Sequence, residues 1–174
     1  DAAALWATGR TWWQVPLITM VELTGKLQKG VTGKDVIITL CGLFNKDEVL
    51  NHVLEFTGDG IADLSIDERL TIANMTTEWG ALAGVFPLDK ITTQWLRNRA
   101  AFISKRGLEN VPSDADNKND MHPRLNQDRI NKLENNPLTA NEEAFYTKEI
   151  GLDLSSISPH ISGPNQVKTM TSLH

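Results

Sequence analysis

The sequence predicts an α/β domain, a mostly parallel sheet flanked by helices, as one unit over residues 1–174. Two observations carry that prediction. Short runs rich in β-branched residues alternate with segments whose apolar residues recur at spacings of three and four. Helix-cap signals also stand directly before those segments. The resulting order is strand, helix, strand, helix, helix, polar insertion, strand, and no internal repeat is visible. A single domain suits a chain of 174 residues.

The first strand is expected over residues 15–25. Val15, Leu17, Ile18, Met20, Val21 and Leu23 read as largely buried, Pro16 stands near the start, and Thr24-Gly25 is a turn signal. A helix follows, capped by Thr32 or Gly33, with Asp35 in its positive first turn and with most of Val36, Ile37, Leu40, Cys41, Leu43 and Phe44 on one broad apolar stripe. A second strand is expected over residues 53–57, ending at Gly58-Asp59-Gly60. Ser65-Ile66-Asp67-Glu68 is a capping box, and its helix should run through Leu70, Ala73, Met75 and Thr77 to about residue 82. Ala83-Gly84-Val85-Phe86-Pro87 closes that section, and Asp89 can cap a third helix to about residue 99. Residues 105–147 are Asn-rich and poor in apolar residues, with Pro112, Pro123 and Pro137 as breakers. They read as an irregular insertion with short helical pieces such as residues 127–133. Ile150, Leu152 and Leu154 alternate as a strand would, and residues 158–165 read as ordered loop.

Composition removes several function classes. The net charge of −5 argues against a nucleic-acid partner, which needs a basic face, and against a polybasic membrane anchor. The longest apolar stretch, residues 36–44, is interrupted by Thr39 and Gly42, whereas a membrane span needs roughly 20 such residues. The one cysteine, Cys41, can neither close an internal disulfide nor hold an iron–sulfur cluster alone. A start at Asp1 rather than Met, with no signal-peptide plan, suggests a trimmed or processed piece.

No complete active site emerges from residue patterns. The Gly30–Lys34 stretch lacks the spacing of a phosphate loop and reads as a helix start. His52, His122, His160 and His174 form no close pair, so no metal site is expected in this chain. His52 reads as packing at a strand edge, His122 as part of the insertion, and His160 as making a structural hydrogen bond. Cys41 reads as a small buried hydrophobe. Asn74 and Glu78 stand four residues apart, hence on one helix face, and Glu78 could move a proton. Taken alone they are a solvated face, since charged residues are mostly exposed. Their setting is unusual: Thr76, Thr77 and Trp79 surround them, and the small Gly80, Ala81, Ala83 and Gly84 would let a backbone or cofactor approach. Trp6, Trp12 and Trp13 read as core or, preferably, as a domain interface.

The run Leu70-Thr71-Ile72-Ala73-Asn74-Met75-Thr76-Thr77-Glu78-Trp79-Gly80-Ala81, then Gly84-Val85-Phe86-Pro87, resembles the Asn-Met-x-x-Glu-x-Gly segment of the aconitase superfamily. Thr32-Gly33-Lys34-Asp35-Val36-Ile37 with Leu40-Cys41-Gly42 resembles the helix that precedes it, and Glu55-Phe56-Thr57-Gly58 the strand end between them. The Trp6–Pro16 and Ser158–Asn165 stretches are similar to the fungal homoaconitase branch. The resemblance spans nearly the whole chain and implies an aconitase-type three-layer domain, the second of three around a 4Fe-4S cluster, beside a fourth, mobile domain. It implies a hydro-lyase that interconverts cis-homoaconitate and homoisocitrate in the α-aminoadipate route to lysine, in the mitochondrial matrix. The cluster's open iron would act as Lewis acid on the substrate, and the partners would be a tricarboxylic acid and the enzyme's other domains. Cluster cysteines, an Asp-Ser-His segment, the serine base and the substrate arginines would all lie outside this chain, so the chain alone would be inactive and hold no cluster. By the same resemblance Asn74 matches the asparagine that approaches the cluster. Glu78 matches the supporting glutamate that hydrogen-bonds near the iron-bound water or hydroxyl. The Thr76-Thr77-Glu78-Trp79 wording departs from aconitase itself, which has smaller residues there. 3-Isopropylmalate dehydratase or aconitase is the nearest alternative, and a non-catalytic α/β binding domain is the alternative of another class.

Overall fold

The structure, a computed structural model, describes residues 2–107 and 122–173. Pro112, His174 and part of the expected insertion lie outside the described residues. Four strands, β1 (Ile18–Thr24), β2 (Val53–Thr57), β3 (Ala83–Val85) and β4 (Lys148–Asp153), form a sheet in the order β3-β2-β1-β4. Every neighbouring pair is parallel, so the expected α/β class is the observed one.

The strand registers explain where the core sits. Val21 is level with Phe56 on one side and Ile150 on the other, and Leu23 is level with Leu152. These side chains share one face and are buried, with Thr19 and Leu54 beside them. After a short N-terminal helix, α1 (Ala2–Thr8), helices α2 (Gly33–Leu43) and α3 (Ile66–Asn74) cover that face through Val36, Ile37, Leu40, Cys41 and Ile72. Each large apolar side chain so buried contributes roughly 1.5–3 kcal/mol. The opposite face is only partly covered: Ile18, Met20, Val53 and Glu55 are half-buried and Glu22 is exposed. There Tyr146 donates its hydroxyl to Glu55 Oε2 at 3.0 Å.

The caps form where the sequence places them. Asp35 Oδ2 accepts from the N–H and the hydroxyl of Thr32, both at 2.8 Å. Asp35 Oδ1 meanwhile accepts from His160 N–H at 2.9 Å, tying α2 to the C-terminal segment. Ser65 and Glu68 form the reciprocal capping box of α3. Asp89 caps α5 (Lys90–Arg106), and Asn126 caps α6 (Gln127–Asn135), whose Ile130 is buried. Arg97 on α5 holds α6 through Gln127, Asn131 and Glu134.

Several expectations need correction. β1 begins at Ile18, because pairing with β2 starts there; Val15 and Leu17 are exposed. Ala83–Val85 is a strand, paired with Val53, Leu54 and Glu55, although two of its three residues, Ala83 and Gly84, are poor strand formers. α5 continues to Arg106, where Gly107 at φ 85 stops it. Leu43 is exposed rather than on the buried stripe, and Leu154 is buried in a 3₁₀ turn after β4. The tail is not only loop: β5 (His160–Ser162) pairs antiparallel with β6 (Met170–Ser172). Trp6, Trp12 and Trp13 are 90%, 84% and 71% exposed, which excludes the core reading for this chain.

Candidate functional site

The expected long helix around Asn74 is two pieces. α3 ends at Asn74, Met75 breaks the helix with φ −84 and ψ 4, and a single turn, α4 (Thr76–Trp79), follows. Hydroxyls compete with the helical ladder here: Thr76 Oγ1 donates to the Ala73 carbonyl at 2.8 Å, and Thr77 Oγ1 lies 3.1 Å from the Asn74 carbonyl. Gly80, in the left-handed region at φ 107, terminates the turn as only glycine does without strain.

Asn74 and Glu78 are therefore not stacked on one continuous helix face. Both are exposed, and the Thr77 hydroxyl, with one proton to donate, lies 2.8 Å from Glu78 Oε2 and 3.1 Å from the Asn74 backbone carbonyl, the carboxylate being the nearer acceptor. Beneath them the packing is tight. Thr76 and Trp79 are fully buried, and the Trp79 indole N–H donates to the Phe44 carbonyl at 2.6 Å. The small residues nearby serve this internal packing. A Cβ on Gly84 would lie 2.9 Å from Thr76 Cγ2 and 3.1 Å from both Ala73 Cα and Phe56 Cε2.

This turn sits at the amino-terminal edge of the sheet. Asn51 N–H donates to the Gly80 carbonyl at 2.9 Å and Leu82 N–H to the His52 carbonyl at 2.8 Å, both beside the start of β2. At the opposite edge, where parallel sheets usually bind ligands, the backbone is close-packed: a Cβ on Gly58 would be 2.1 Å from the Leu23 carbonyl oxygen.

The remaining candidates have structural duties. Cys41 is fully buried, and burial, then the Glu78 carboxylate, pushes its thiol up to about 12. A protonated thiol in that setting is neither nucleophile nor ligand. Among the described residues no group of three or more His, Cys, Asp or Glu is placed to hold a metal. The described residues thus do not fit as a ligand set for an iron–sulfur cluster. His52 is buried with Nδ1 2.8 Å from Thr19 Oγ1, and burial, then Lys148, lowers its pKa. His122 Nδ1 accepts from the N–H groups of Arg124 and Leu125, organising the turn before α6. His160 Nδ1 is 2.5 Å from the Ser158 carbonyl, a structural bond as expected.

Sequence reasoning gave no role to Arg69, the one buried Arg or Lys among the described residues. It donates to the Leu64 and Ile61 carbonyls, to both Asp89 oxygens and to Thr92. It thereby fastens α3, the carrier of Asn74, to the start of α5. Its position after the capping box, with an acidic cap twenty residues on, was the available signal.

The aconitase family (aconitate hydratase) model matches residues 1–174. "Homoaconitase, mitochondrial" of Debaryomyces hansenii is 51% identical over 174 residues, covering 100% of this chain and 23% of that protein. Its namesake in Candida albicans is 54% identical over 175 residues, covering 100% of this chain and 24% of the relative. The one in Cryptococcus neoformans var. neoformans is 55% identical over 175 residues, covering 99% and 24%. The chain thus spans about a quarter of the length of the curated relatives it matches. With its parallel sheet and a family match from first residue to last, this chain belongs to the aconitase family.

Proposed function

We propose that this chain is the second α/β domain of a homoaconitate hydratase, a hydro-lyase interconverting cis-homoaconitate and homoisocitrate in lysine biosynthesis. The observation that carries the reading is the Asn74–Glu78 turn: a carboxamide and a carboxylate, both exposed, on a backbone held from beneath by buried Thr76 and Trp79. Exposed polar groups on a rigid support suit a site completed by another part of a longer polypeptide. The identity of 51–55% with homoaconitases over the whole chain supports the substrate assignment.

In this reading a 4Fe-4S cluster, ligated outside this chain, is the enzyme's cofactor, and a tricarboxylic acid is its substrate. Asn74 would lie near that cluster as a polar neighbour and not as a ligand. Glu78 accepts a hydrogen bond near the reacting hydroxyl and can hold its proton; both residues position and polarise, and neither is the principal base. The other domains of the same enzyme are the partners, and the mitochondrial matrix is the compartment, as the relatives' names suggest. The chain alone would neither turn over substrate nor retain a cluster.

Glu78→Gln in the full-length enzyme tests the reading. The amide keeps the shape and loses the charge. We expect turnover to fall by about a hundredfold with the melting temperature unchanged. An unaltered rate would return Glu78 to the solvated surface and remove the site.

A further inference from the structure

Glu78 is exposed, so nothing around its carboxylate confines it by packing, and a free glutamate side chain samples many rotamers. Two neighbours restrict it. The Thr77 hydroxyl is 2.8 Å from Glu78 Oε2, a hydrogen bond to a charged acceptor. On the other side of Glu78, Trp79 fixes the backbone: its indole N–H reaches the Phe44 carbonyl at 2.6 Å, and the two rings lie 6.2 Å apart with planes tilted by 41°. Phe44 is the C-cap of α2, where carbonyls lack helical partners, so the indole satisfies an otherwise orphaned acceptor. A single helical turn has no stability of its own, and α4 holds its shape through this tie to α2. Residues at these two positions do chemistry in neither reading of Glu78.

We infer that Thr77 and Trp79 are positioning residues, which hold the Glu78 carboxylate in one orientation toward the substrate: Thr77 by gripping the carboxylate and Trp79 by anchoring the turn on Phe44. The inference rests on the proposed hydratase reading and adds to it the side chains that make the site rigid.

The test uses the full-length enzyme, reconstituted with iron and sulfide, hydrating cis-homoaconitate. Thr77 is exposed, so Thr77→Val removes the hydroxyl at little risk to folding, and Thr77→Ser restores it. Thr77→Val should lower kcat by about tenfold with KM within about twofold, and Thr77→Ser should recover most of the loss. Trp79→Phe keeps a buried ring but cannot donate, and should lower kcat by at least tenfold, since misplacement by about 1 Å costs up to about 10²-fold. Phe44→Leu is the control: it removes the ring contact and keeps the carbonyl, so it should lower the melting temperature without a comparable loss of kcat. In the metal-free protein, the Trp79 indole N–H should exchange slowly with solvent deuterium. Equal kcat for Thr77→Val and the parent overturns the inference. So does a kcat loss in Phe44→Leu matching that of Trp79→Phe, because that marks a structural effect only. Should Glu78→Gln itself leave turnover unchanged, the placement of Glu78 in the site fails instead, and the two failures are thereby told apart.

Discussion

Arg69→Met is the perturbation whose cost can be worked most directly from the geometry. The guanidinium is 3% exposed and makes five hydrogen bonds, to Leu64 O, Ile61 O, Asp89 Oδ1 and Oδ2, and Thr92 Oγ1. Methionine matches its stem but leaves two carbonyls and a carboxylate without their donor. Removing one partner of a buried pair costs about 3–5 kcal/mol. The Asp89 side chain is 31% exposed, so water recovers part of its solvation, and the lower end, about 3 kcal/mol, applies. For a chain of this size each kcal/mol shifts the melting temperature by about 2–4 °C, giving a drop of about 6–12 °C. Arg69→Lys keeps the charge but not the fork and should fall between the two. The assay is thermal denaturation of the 174-residue chain followed by circular dichroism at pH 7. A drop under about 2 °C for Arg69→Met would refute the claim that this residue fastens α3 to α5.

The acid limb of stability should have two parts. Burial and Lys148 depress the pKa of His52, so its contribution is complete above the unfolded value near 6.5 and is lost as pH falls below it. Burial pushes Asp35 and Asp89 up, but hydrogen bonds from His160 and Thr32, and from Arg69 and Thr92, outweigh it and hold both carboxyls low. Their contribution is present above about pH 4 and is lost as pH falls through the folded values. Urea midpoints measured from pH 8 to pH 3 should therefore decline first below about pH 6.5, and His52→Gln should flatten that first decline. Cys41, with its thiol raised to about 12, should not react with an aromatic disulfide reagent at pH 8 until denaturant opens the core; prompt reaction would contradict its burial.

The parts of the fold that were legible in the sequence are those set by neighbours in the chain. β2 and the Ser65–Glu68 cap are each specified within a few residues, and both form as read. β3 was not legible, because it is only three residues long and its central Gly84 fits close packing against Thr76 and Ala73 rather than strand propensity. Nor was the break at Met75, where the Thr76 and Thr77 hydroxyls bond the Ala73 and Asn74 carbonyls in competition with the helical ladder. The same division holds at the candidate site. Asn74 and Glu78 stand out as a pattern. Thr77 and Trp79, which hold them, look in sequence like a polar and a core residue, and only the folded turn gives them a common task. The tryptophans near the N-terminus, Trp6, Trp12 and Trp13, are exposed, and the core reading of them does not hold.

The most direct test of the proposed function is the hydration rate of cis-homoaconitate by the full-length enzyme, reconstituted with iron and sulfide, beside cis-aconitate and isopropylmaleate. A clear preference for cis-homoaconitate is the expected result. Preference for either other substrate would contradict the lysine-pathway assignment and move this chain to another branch of the aconitase family.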